Sequence, residues 1–321
     1  MIKSESDVLG IDNLAIASKK LETEISKVIV GQKEVVRSII ISIFANGHSL
    51  LIGVPGLGKT LLVNTISEAL GLNFNRIQFT PDLMPSDITG SEILGEDRFF
   101  KFVKGPVFTN VLLADEINRT PPKTQAALLE AMQERKITIS GKSLDLPDPF
   151  FVLATQNPID QEGTYPLPEA QLDRFMFNIW VDYPSLEEEI QVVKSTTSNF
   201  ETKINPVLTS EEIKDFQNLI RRIPVSDNVL EYAVKLAVKT RRESEFAIGN
   251  TRDYLAWGAG PRASQYLVLG AKAHAALNGK YSPDIEDVVS VAVPILRHRI
   301  MRNYKAEADG VSIEQIIKSL L

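Results

Sequence analysis

The amino-acid sequence predicts an α/β fold, in which a mostly parallel five-stranded sheet with helices on both faces is followed by a small all-helical domain. Short apolar runs alternate with amphipathic stretches between residues 49 and 183, which is typical of parallel strands joined by helices. A glycine-rich loop, Gly53–Thr60, connects the first apolar run to a helical pattern. Beyond Tyr183 and Pro184 the strand patterns stop, and capped helical patterns follow one another.

Two helical patterns precede the sheet, and five apolar runs are its expected strands. The runs are Leu50–Gly53, Phe74–Phe79, Val111–Asp115, Phe150–Thr155 and Phe177–Val181. Two further segments, residues 98–104 and residues 137–146 with Gly141 and Lys142 at a turn, predict β-hairpin insertions. An ordinary sheet edge is the alternative that the sequence leaves open for both segments.

Helix-capping patterns place the helices of the second domain. Thr209 and Glu212 form a capping box, Ser226 begins another helix, and Pro283 at a first helical position makes Ser282 the expected cap there. Ser312 with Gln315 caps the last helix. We therefore expect a core over residues 1–183, a linker with one helix over residues 184–205, and an all-helical lid over residues 206–321.

Composition excludes several classes of protein. The 321 residues carry a net charge of −6 and no basic stripe, so no nucleic-acid partner is expected. With no cysteine and three scattered histidines, the chain has no disulfide and no predicted metal-ligand cluster. The first residues lack an apolar signal core, and no apolar run is long enough to cross a bilayer. We expect a cytoplasmic protein without membrane insertion.

The loop Gly53–Thr60 matches the pattern G-x-x-x-x-G-K-[ST] between a strand and a helix, the context that this motif requires. Its glycines let successive backbone N–H groups close around phosphates, and the following helix directs its positive end at them. Lys59 adds a full charge, and Thr60 offers a hydroxyl to Mg²⁺. The pattern predicts a nucleoside triphosphate site, against the alternative of a glycine-rich turn with a solvated lysine.

Two acids and one amide follow apolar runs at the edge where the loop is expected. Asp115 and Glu116 follow one run, and Asn157 follows another. Because ligands bind at the carboxyl ends of parallel strands, we expect Asp115 to hold the Mg²⁺ shell and Glu116 to orient and deprotonate the attacking water. Asn157 would contact that water or the γ-phosphate. Taken alone, solvated acids and a turn-forming asparagine explain the same residues.

Several motifs together resemble the MoxR family of AAA+ ATPases, in the helix-2-insert group that also contains magnesium chelatase ATPase subunits. The resemblance extends from Val30–Gln32 to Leu296–Ile300. Its motifs are Gly53–Thr60, Leu113–Gln125, Leu129–Glu134, Ala154–Asp160 and Glu162–Phe177.

The resemblance implies ATP and Mg²⁺ as cofactors and assigns roles to individual residues. It gives Glu116, Asn157 and Arg174 as catalytic, with Arg174 as an arginine finger supplied by a neighbouring subunit. It gives Thr60 and Asp115 as Mg²⁺ ligands, the latter through water. Nucleotide contacts fall on Val30, Gly31, Gln32, Gly53, Pro55, Gly56, Leu57, Gly58, Lys59, Thr60, Leu61 and, from the lid, Arg262.

The resemblance further implies a homo-oligomeric ring, usually hexameric, with ATP at each subunit boundary. Its expected function is chaperone-like remodelling, assembly or metal-cofactor insertion of a partner protein, often one with a von Willebrand factor A domain. Two other functions stay open at this point: a nucleic-acid motor, for which Lys101, Lys104 and Lys142 provide few basic groups, and a slow nucleotide-dependent scaffold or switch.

Overall fold

The computed structural model describes residues 5–94, 98–139, 141–159, 163–197 and 202–321. The first part of the chain contains α1 (Glu5–Ile25), α2 (Lys33–Phe44), β1 (Ser49–Ile52), α3 (Lys59–Ala69), β2 (Phe74–Gln78), α4 (Pro85–Thr89), β3 (Gly90–Leu94), β4 (Phe100–Lys104), β5 (Val111–Asp115), a 3-10 turn (Ile117–Arg119), α5 (Pro122–Glu134), β6 (Lys136–Ile139), β7 (Lys142–Asp145), β8 (Phe151–Gln156), α6 (Glu169–Leu172) and β9 (Phe177–Trp180). The second part contains α7 (Leu186–Thr196), α8 (Ser210–Arg222), α9 (Asp227–Lys239), α10 (Gly249–Tyr254), β10 (Leu255–Trp257), α11 (Pro261–Leu277), α12 (Ile285–Leu296), β11 (Met301–Arg302), α13 (Tyr304–Ala308) and α14 (Ile313–Leu320).

The central sheet confirms the predicted five parallel strands. Their order is β2-β5-β8-β1-β9, so β1 lies between β8 and β9, and β5 lies between β2 and β8. Alternate residues of β5 enter two apolar clusters: Leu113 packs with the N-terminal helices and the lid, and Leu112 packs with α5. Both faces of the sheet are therefore covered by apolar packing.

Both insertions are antiparallel hairpins, but the first begins earlier than predicted. The segment 98–104 contains only its second strand, β4, which pairs with β3. The turn into β3 depends on Gly90, whose φ is 94° and where a Cβ would lie 2.2 Å from the Val103 carbonyl oxygen. Strand β3 is short and shows no alternation of apolar and polar residues, so the local sequence did not indicate it. The second hairpin, β6 with β7, is as predicted.

The predicted helical lid is confirmed, and between its helices it also contains two very short strands that the sequence did not predict. Strands β10 and β11 form a small antiparallel sheet. They have three and two residues, too short to show the alternation by which a strand is recognised. The cap of α12 also differs from prediction, because Asp284 rather than Ser282 accepts the Asp287 backbone N–H, at 3.1 Å. The caps at Thr209 and Ser312 are as predicted.

One apolar cluster joins the N-terminal helices to the lid. Ile11 and Leu14 of α1 and Ile39 of α2 are fully buried in the same cluster as Ile220 of α8 and Leu267 of α11. The limits at 183 and 205 stay a prediction, and residues 198–201 of the expected linker lie outside the described residues. In the described ranges, no helix is both long and apolar enough to cross a membrane.

Candidate nucleotide-binding site

The loop between β1 and α3 needs each of its glycines for a physical reason. A Cβ at Gly53 would lie 2.7 Å from the backbone carbonyl oxygen of Val181, so a side chain at this position would clash. Gly56 and Gly58 have φ values of 86° and 71°, in the left-handed region that side chains avoid. Helix α3 begins at Lys59, directly after Gly58. The backbone therefore has the curvature and the helix N-terminus of an anion-binding loop.

The loop opens into a pocket of about 280 Å³, which we call the phosphate-loop pocket. It lies at the carboxyl edge of the central sheet, where the sequence predicted it. Its lining is Pro55, Gly56, Leu57, Gly58, Lys59, Thr60, Arg76, Gln78, Asp115, Glu116, Thr155 and Asn157. The loop, both acids and the amide are thus brought together at the ends of three strands, β1, β5 and β8.

Lys59 is folded against its own loop. Its ammonium group donates hydrogen bonds to the carbonyl oxygens of Gly53 and of Val54, the latter at 3.1 Å. Burial lowers the pKa of Lys59, and the nearby charges of Asp115 and Glu116 oppose that shift. The ammonium therefore lies at the mouth of the loop with two weak neutral acceptors, which an anion can replace.

Asp115 and Glu116 are connected through Thr155 of β8. The Thr155 hydroxyl donates to Asp115 Oδ1 at 2.6 Å, and the Glu116 backbone N–H donates to the Thr155 hydroxyl at 2.8 Å. Glu116 has φ 57° and ψ 50°, a left-handed conformation that costs a non-glycine residue about 1 kcal/mol. This backbone turn brings the Glu116 carboxylate to the pocket directly beside Asp115.

Two residues of β2 belong to the site and were missed in the sequence. Arg76 Nη2 and Nε donate to Asp115 Oδ2 at 2.6 and 3.1 Å, and Arg76 Nη2 also donates to Gln78 Oε1 at 2.5 Å. Gln78 Nε2 in turn donates to Glu116 Oε2 at 2.8 Å. Polar residues at positions 76 and 78 on either side of buried Ile77 were the available signal, since alternate residues of a strand share a face.

Asn157 makes the expected turn contact and also lies in the pocket, while its contact with water or the γ-phosphate stays a prediction. Its Oδ1 accepts the Ile159 backbone N–H at 3.1 Å, which fixes the turn at Pro158. The side chain is buried, and it lines the phosphate-loop pocket. The local turn therefore orients the amide toward the other pocket residues.

The segment Val30–Gln32 lies next to the loop but outside the pocket lining. Gln32 Nε2 donates to the Leu57 carbonyl oxygen at 3.3 Å. Gly31 has φ 68°, and a Cβ there would lie 2.3 Å from Glu188 Oε1, so the first turn of α7 packs directly on it. Leu61, which follows the loop in α3, is about half exposed. Nucleotide contacts by Val30, Gly31, Gln32 and Leu61 stay a prediction.

The structure does not bring Arg174 and Arg262 to the phosphate-loop pocket of their own chain. Arg262 Nη1 pairs with Asp173 Oδ2 at 3.4 Å, and Arg299 Nε pairs with Asp173 Oδ1 at 2.7 Å. Arg174 is half-buried and has no ion pair in the described part of the chain. We call Asp173, Arg174, Arg262 and Arg299 the arginine cluster.

The arginine cluster is built on a buried guanidinium. Arg299 is only 2% exposed in its side chain, and it donates to the carbonyl oxygens of Asp173, Phe175, Met176 and Ile295. Burial lowers the pKa of Arg299, and the Asp173 carboxylate opposes that shift. This residue fixes the chain around Asp173 and Arg174, whereas Arg262 is about 40% exposed and makes no such side-chain bond to a backbone carbonyl among the described residues.

The fold and the pocket define a P-loop nucleotide-binding protein with a helical lid. Comparison with known families agrees: the model of the ATPase family associated with various cellular activities (AAA) matches residues 48–177, and the AAA lid domain matches residues 249–320. The chain is 40% identical to Chaperone MoxR1 of Mycobacterium tuberculosis, over 97% of this chain and 84% of that protein.

Further relatives extend this similarity. Protein MoxR of Methylorubrum extorquens is 31% identical over 88% of this chain and 87% of its own length. The solved structure of a proposed ATPase from Cytophaga hutchinsonii superposes with a TM-score of 0.91 at 43% identity, covering 98% of this chain and 96% of that one. The chain belongs to the MoxR family of AAA ATPases, as its motifs predicted.

Proposed function

We propose that this chain binds and hydrolyses ATP with Mg²⁺ in the phosphate-loop pocket. The observation that carries the proposal is that one pocket gathers the loop Pro55–Thr60, two carboxylates and a buried amide. Backbone N–H groups of the loop and the positive end of α3 would hold the β- and γ-phosphates. The Lys59 ammonium would exchange the carbonyl oxygens of Gly53 and Val54 for phosphate oxygens, which bear more negative charge.

The donor set in the pocket fits Mg²⁺. The Thr60 hydroxyl and the Asp115 carboxylate are hard oxygen donors that line the same pocket, and this cation is held by few protein oxygens together with phosphates and waters. When bound, Mg²⁺ would neutralise charge on the terminal phosphates. Glu116 would orient the attacking water and accept its proton, and Asn157 would hold that water or the γ-phosphate by a hydrogen bond.

The arginine cluster supports a site shared between subunits. Arg262 pairs with Asp173, Arg174 follows Asp173 in the chain, and both arginines lie outside the pocket lining of their own chain. A cation that stabilises charge on the transferring phosphoryl group can raise the rate by orders of magnitude. We propose that both arginines act on the pocket of a neighbouring subunit, and that the chain assembles into a ring, of six subunits as the family resemblance implies.

At the level of the cell, we propose a chaperone-like role in which ATP turnover remodels or assembles a partner protein. One relative is described as a chaperone. A client with a von Willebrand factor A domain, and insertion of a metal cofactor into a client, rest on the family resemblance alone.

The decisive experiment measures ATP hydrolysis against protein concentration for the wild type, for Lys59→Ala, for Arg174→Ala and for the two variants mixed. We expect steep concentration dependence, little activity in either variant and partial recovery in the mixture, where intact pockets meet intact arginines. A mixture of Lys59→Ala with Glu116→Gln is the matched control, because every pocket in it is defective. Activity per subunit that is independent of concentration, without recovery in the first mixture, would contradict the shared site.

A further inference from the structure

Asp115, the proposed partner of Mg²⁺, already forms an ion pair with the guanidinium of Arg76. Arg76 donates to Asp115 Oδ2 through two nitrogens, Nη2 at 2.6 Å and Nε at 3.1 Å. The other carboxylate oxygen, Oδ1, accepts the Thr155 hydroxyl at 2.6 Å. The side chain of Asp115 is 12% exposed, so both of its oxygens are engaged within a poorly hydrated site. A second cation can approach this carboxylate only if the first contact changes.

The position of Arg76 on β2 allows its guanidinium to move away from Asp115. In the register of β2 on β5, Arg76 pairs with Leu113 and Gln78 pairs with Asp115, so both polar side chains lie on one side of β2 at the pocket. The side chain of Arg76 is 45% exposed, in contrast to the buried Arg299. Its guanidinium can leave Asp115 for water or phosphate without becoming an unpaired buried charge.

The charges that line the pocket make the two cations competitors. The lining contains two acids, Asp115 and Glu116, and two bases, Lys59 and Arg76. Placing a divalent cation beside a carboxylate that already holds a guanidinium brings like charges within a few ångströms, in a site where water screens them little. Either the guanidinium moves away or the metal binds more weakly.

We propose that Arg76 is a metal-competing residue, which holds Asp115 in the nucleotide-free chain and is displaced when Mg²⁺ binds with nucleotide. This inference rests on the proposed function and goes beyond it, because it assigns to a residue outside the nucleotide-binding motifs the control of the Mg²⁺ concentration at which the site fills. Gln78, which accepts from Arg76 and donates to Glu116, connects that displacement to the second carboxylate.

The test is calorimetric binding of the non-hydrolysable β,γ-imido analogue of ATP at a series of free Mg²⁺ concentrations, including excess chelator. The chains compared are the wild type, Arg76→Gln and Arg76→Lys. We expect Arg76→Gln to lower, by about threefold to tenfold, the Mg²⁺ concentration at which binding of the analogue is half-maximal (the midpoint). This change corresponds to the loss of one partly exposed, charged hydrogen-bonded pair. Arg76→Lys should shift the midpoint less, because an ammonium retains the charge and loses the two-nitrogen contact.

Arg222→Gln is the matched control, since Arg222 pairs with Asp7 at 2.9 Å through an exposed guanidinium that does not line the pocket. It should leave the midpoint unchanged. Weaker binding of the analogue by Arg76→Gln at every Mg²⁺ concentration, with an unchanged midpoint, would overturn the proposal and make Arg76 a phosphate ligand. Unchanged affinity and midpoint would overturn it as well. A wild-type chain that binds no analogue at any Mg²⁺ concentration would instead refute the proposed nucleotide site.

Discussion

The phosphate-loop pocket and the arginine cluster contain complementary charges, yet they are built in different ways. In the pocket, the polar groups are linked side chain to side chain, from Arg76 through Asp115 and Thr155 to the backbone of Glu116. In the arginine cluster, one buried guanidinium, Arg299, is held mostly by backbone carbonyl oxygens. Arg174 follows Asp173 in the chain, Arg262 pairs with Asp173, and both arginines are partly exposed.

This difference fits the proposal that ligand binding and assembly use separate regions of the chain. The pocket contains the groups that we propose to hold phosphate, metal and water, so a single chain is expected to bind nucleotide. The arginine cluster contains cations beside a buried guanidinium and outside the phosphate-loop pocket, and our proposal is that they act on the pocket of another copy of the chain. Substitutions in the pocket are therefore expected to alter nucleotide binding and hydrolysis, and substitutions in the arginine cluster to alter stability or hydrolysis.

The largest effect is expected from Glu116→Gln in the phosphate-loop pocket. The amide keeps the size of the side chain and can still accept the Gln78 hydrogen bond, but it cannot accept a proton from water. We expect ATP hydrolysis to fall by about 100-fold or more while nucleotide affinity stays within about threefold of wild type. Steady-state hydrolysis and calorimetric binding check this, with exposed Glu130→Gln of α5 as the control. Unreduced turnover would remove Glu116 from its proposed role.

Lys59→Ala should act earlier in the cycle, at binding. The variant loses the charged hydrogen bonds that the ammonium would make with phosphate oxygens, and we expect nucleotide affinity to fall by roughly 10-fold to 100-fold. Titration with ADP and Mg²⁺ measures the change, and Lys318→Ala, at an exposed position of α14, controls for loss of a surface charge. Near-normal affinity would mean that the ammonium stays with its own loop when nucleotide binds.

The phosphate-loop pocket and the arginine cluster differ in how much of their structure could be predicted from the sequence. The loop, the five strands and the acids at the end of β5 follow local patterns, and they were found. Arg76 was missed because its contact with Asp115 depends on β2 pairing with β5, 39 residues apart along the chain. The location of Arg262 beside Asp173 depends on how α11 packs against the segment after α6, which no local pattern encodes.

In the arginine cluster, Asp173→Asn and Arg174→Ala should separate stability from catalysis. Asp173→Asn removes the carboxylate that faces buried Arg299, and we expect the free energy of unfolding to fall by about 2 kcal/mol. Arg174→Ala breaks no ion pair among the described residues, so its stability should stay within about 0.5 kcal/mol of wild type while hydrolysis falls. Urea unfolding of both variants checks the contrast. Equal stability losses would mean that Arg174 is part of the structural base.

The smallest expected effect is a pH dependence of stability that comes from His298, next to Arg299. His298 Nε2–H donates to the Phe175 carbonyl oxygen at 3.0 Å, and burial, together with the charge of Arg299, lowers the pKa of His298 well below its usual 6.5. As the pH falls below about 6.5, His298 is protonated in the unfolded chain but stays neutral in the folded chain. The free energy of unfolding therefore falls by up to about 1.4 kcal/mol per pH unit.

His298→Gln tests this pH dependence, because an amide can still donate to Phe175 and does not titrate. Buried His48, whose pKa is lowered to about 4 by burial and by Arg135, has a dependence of the same sign that stays in both chains. Urea unfolding at pH 7.5, 6.5 and 5.5 should therefore give a shallower pH slope for His298→Gln than for the wild type, by about 1 kcal/mol per pH unit below pH 6.5. Identical slopes would show that His298 is protonated in the folded chain, and a second positive charge beside Arg299 would then have to be accommodated by the arginine cluster.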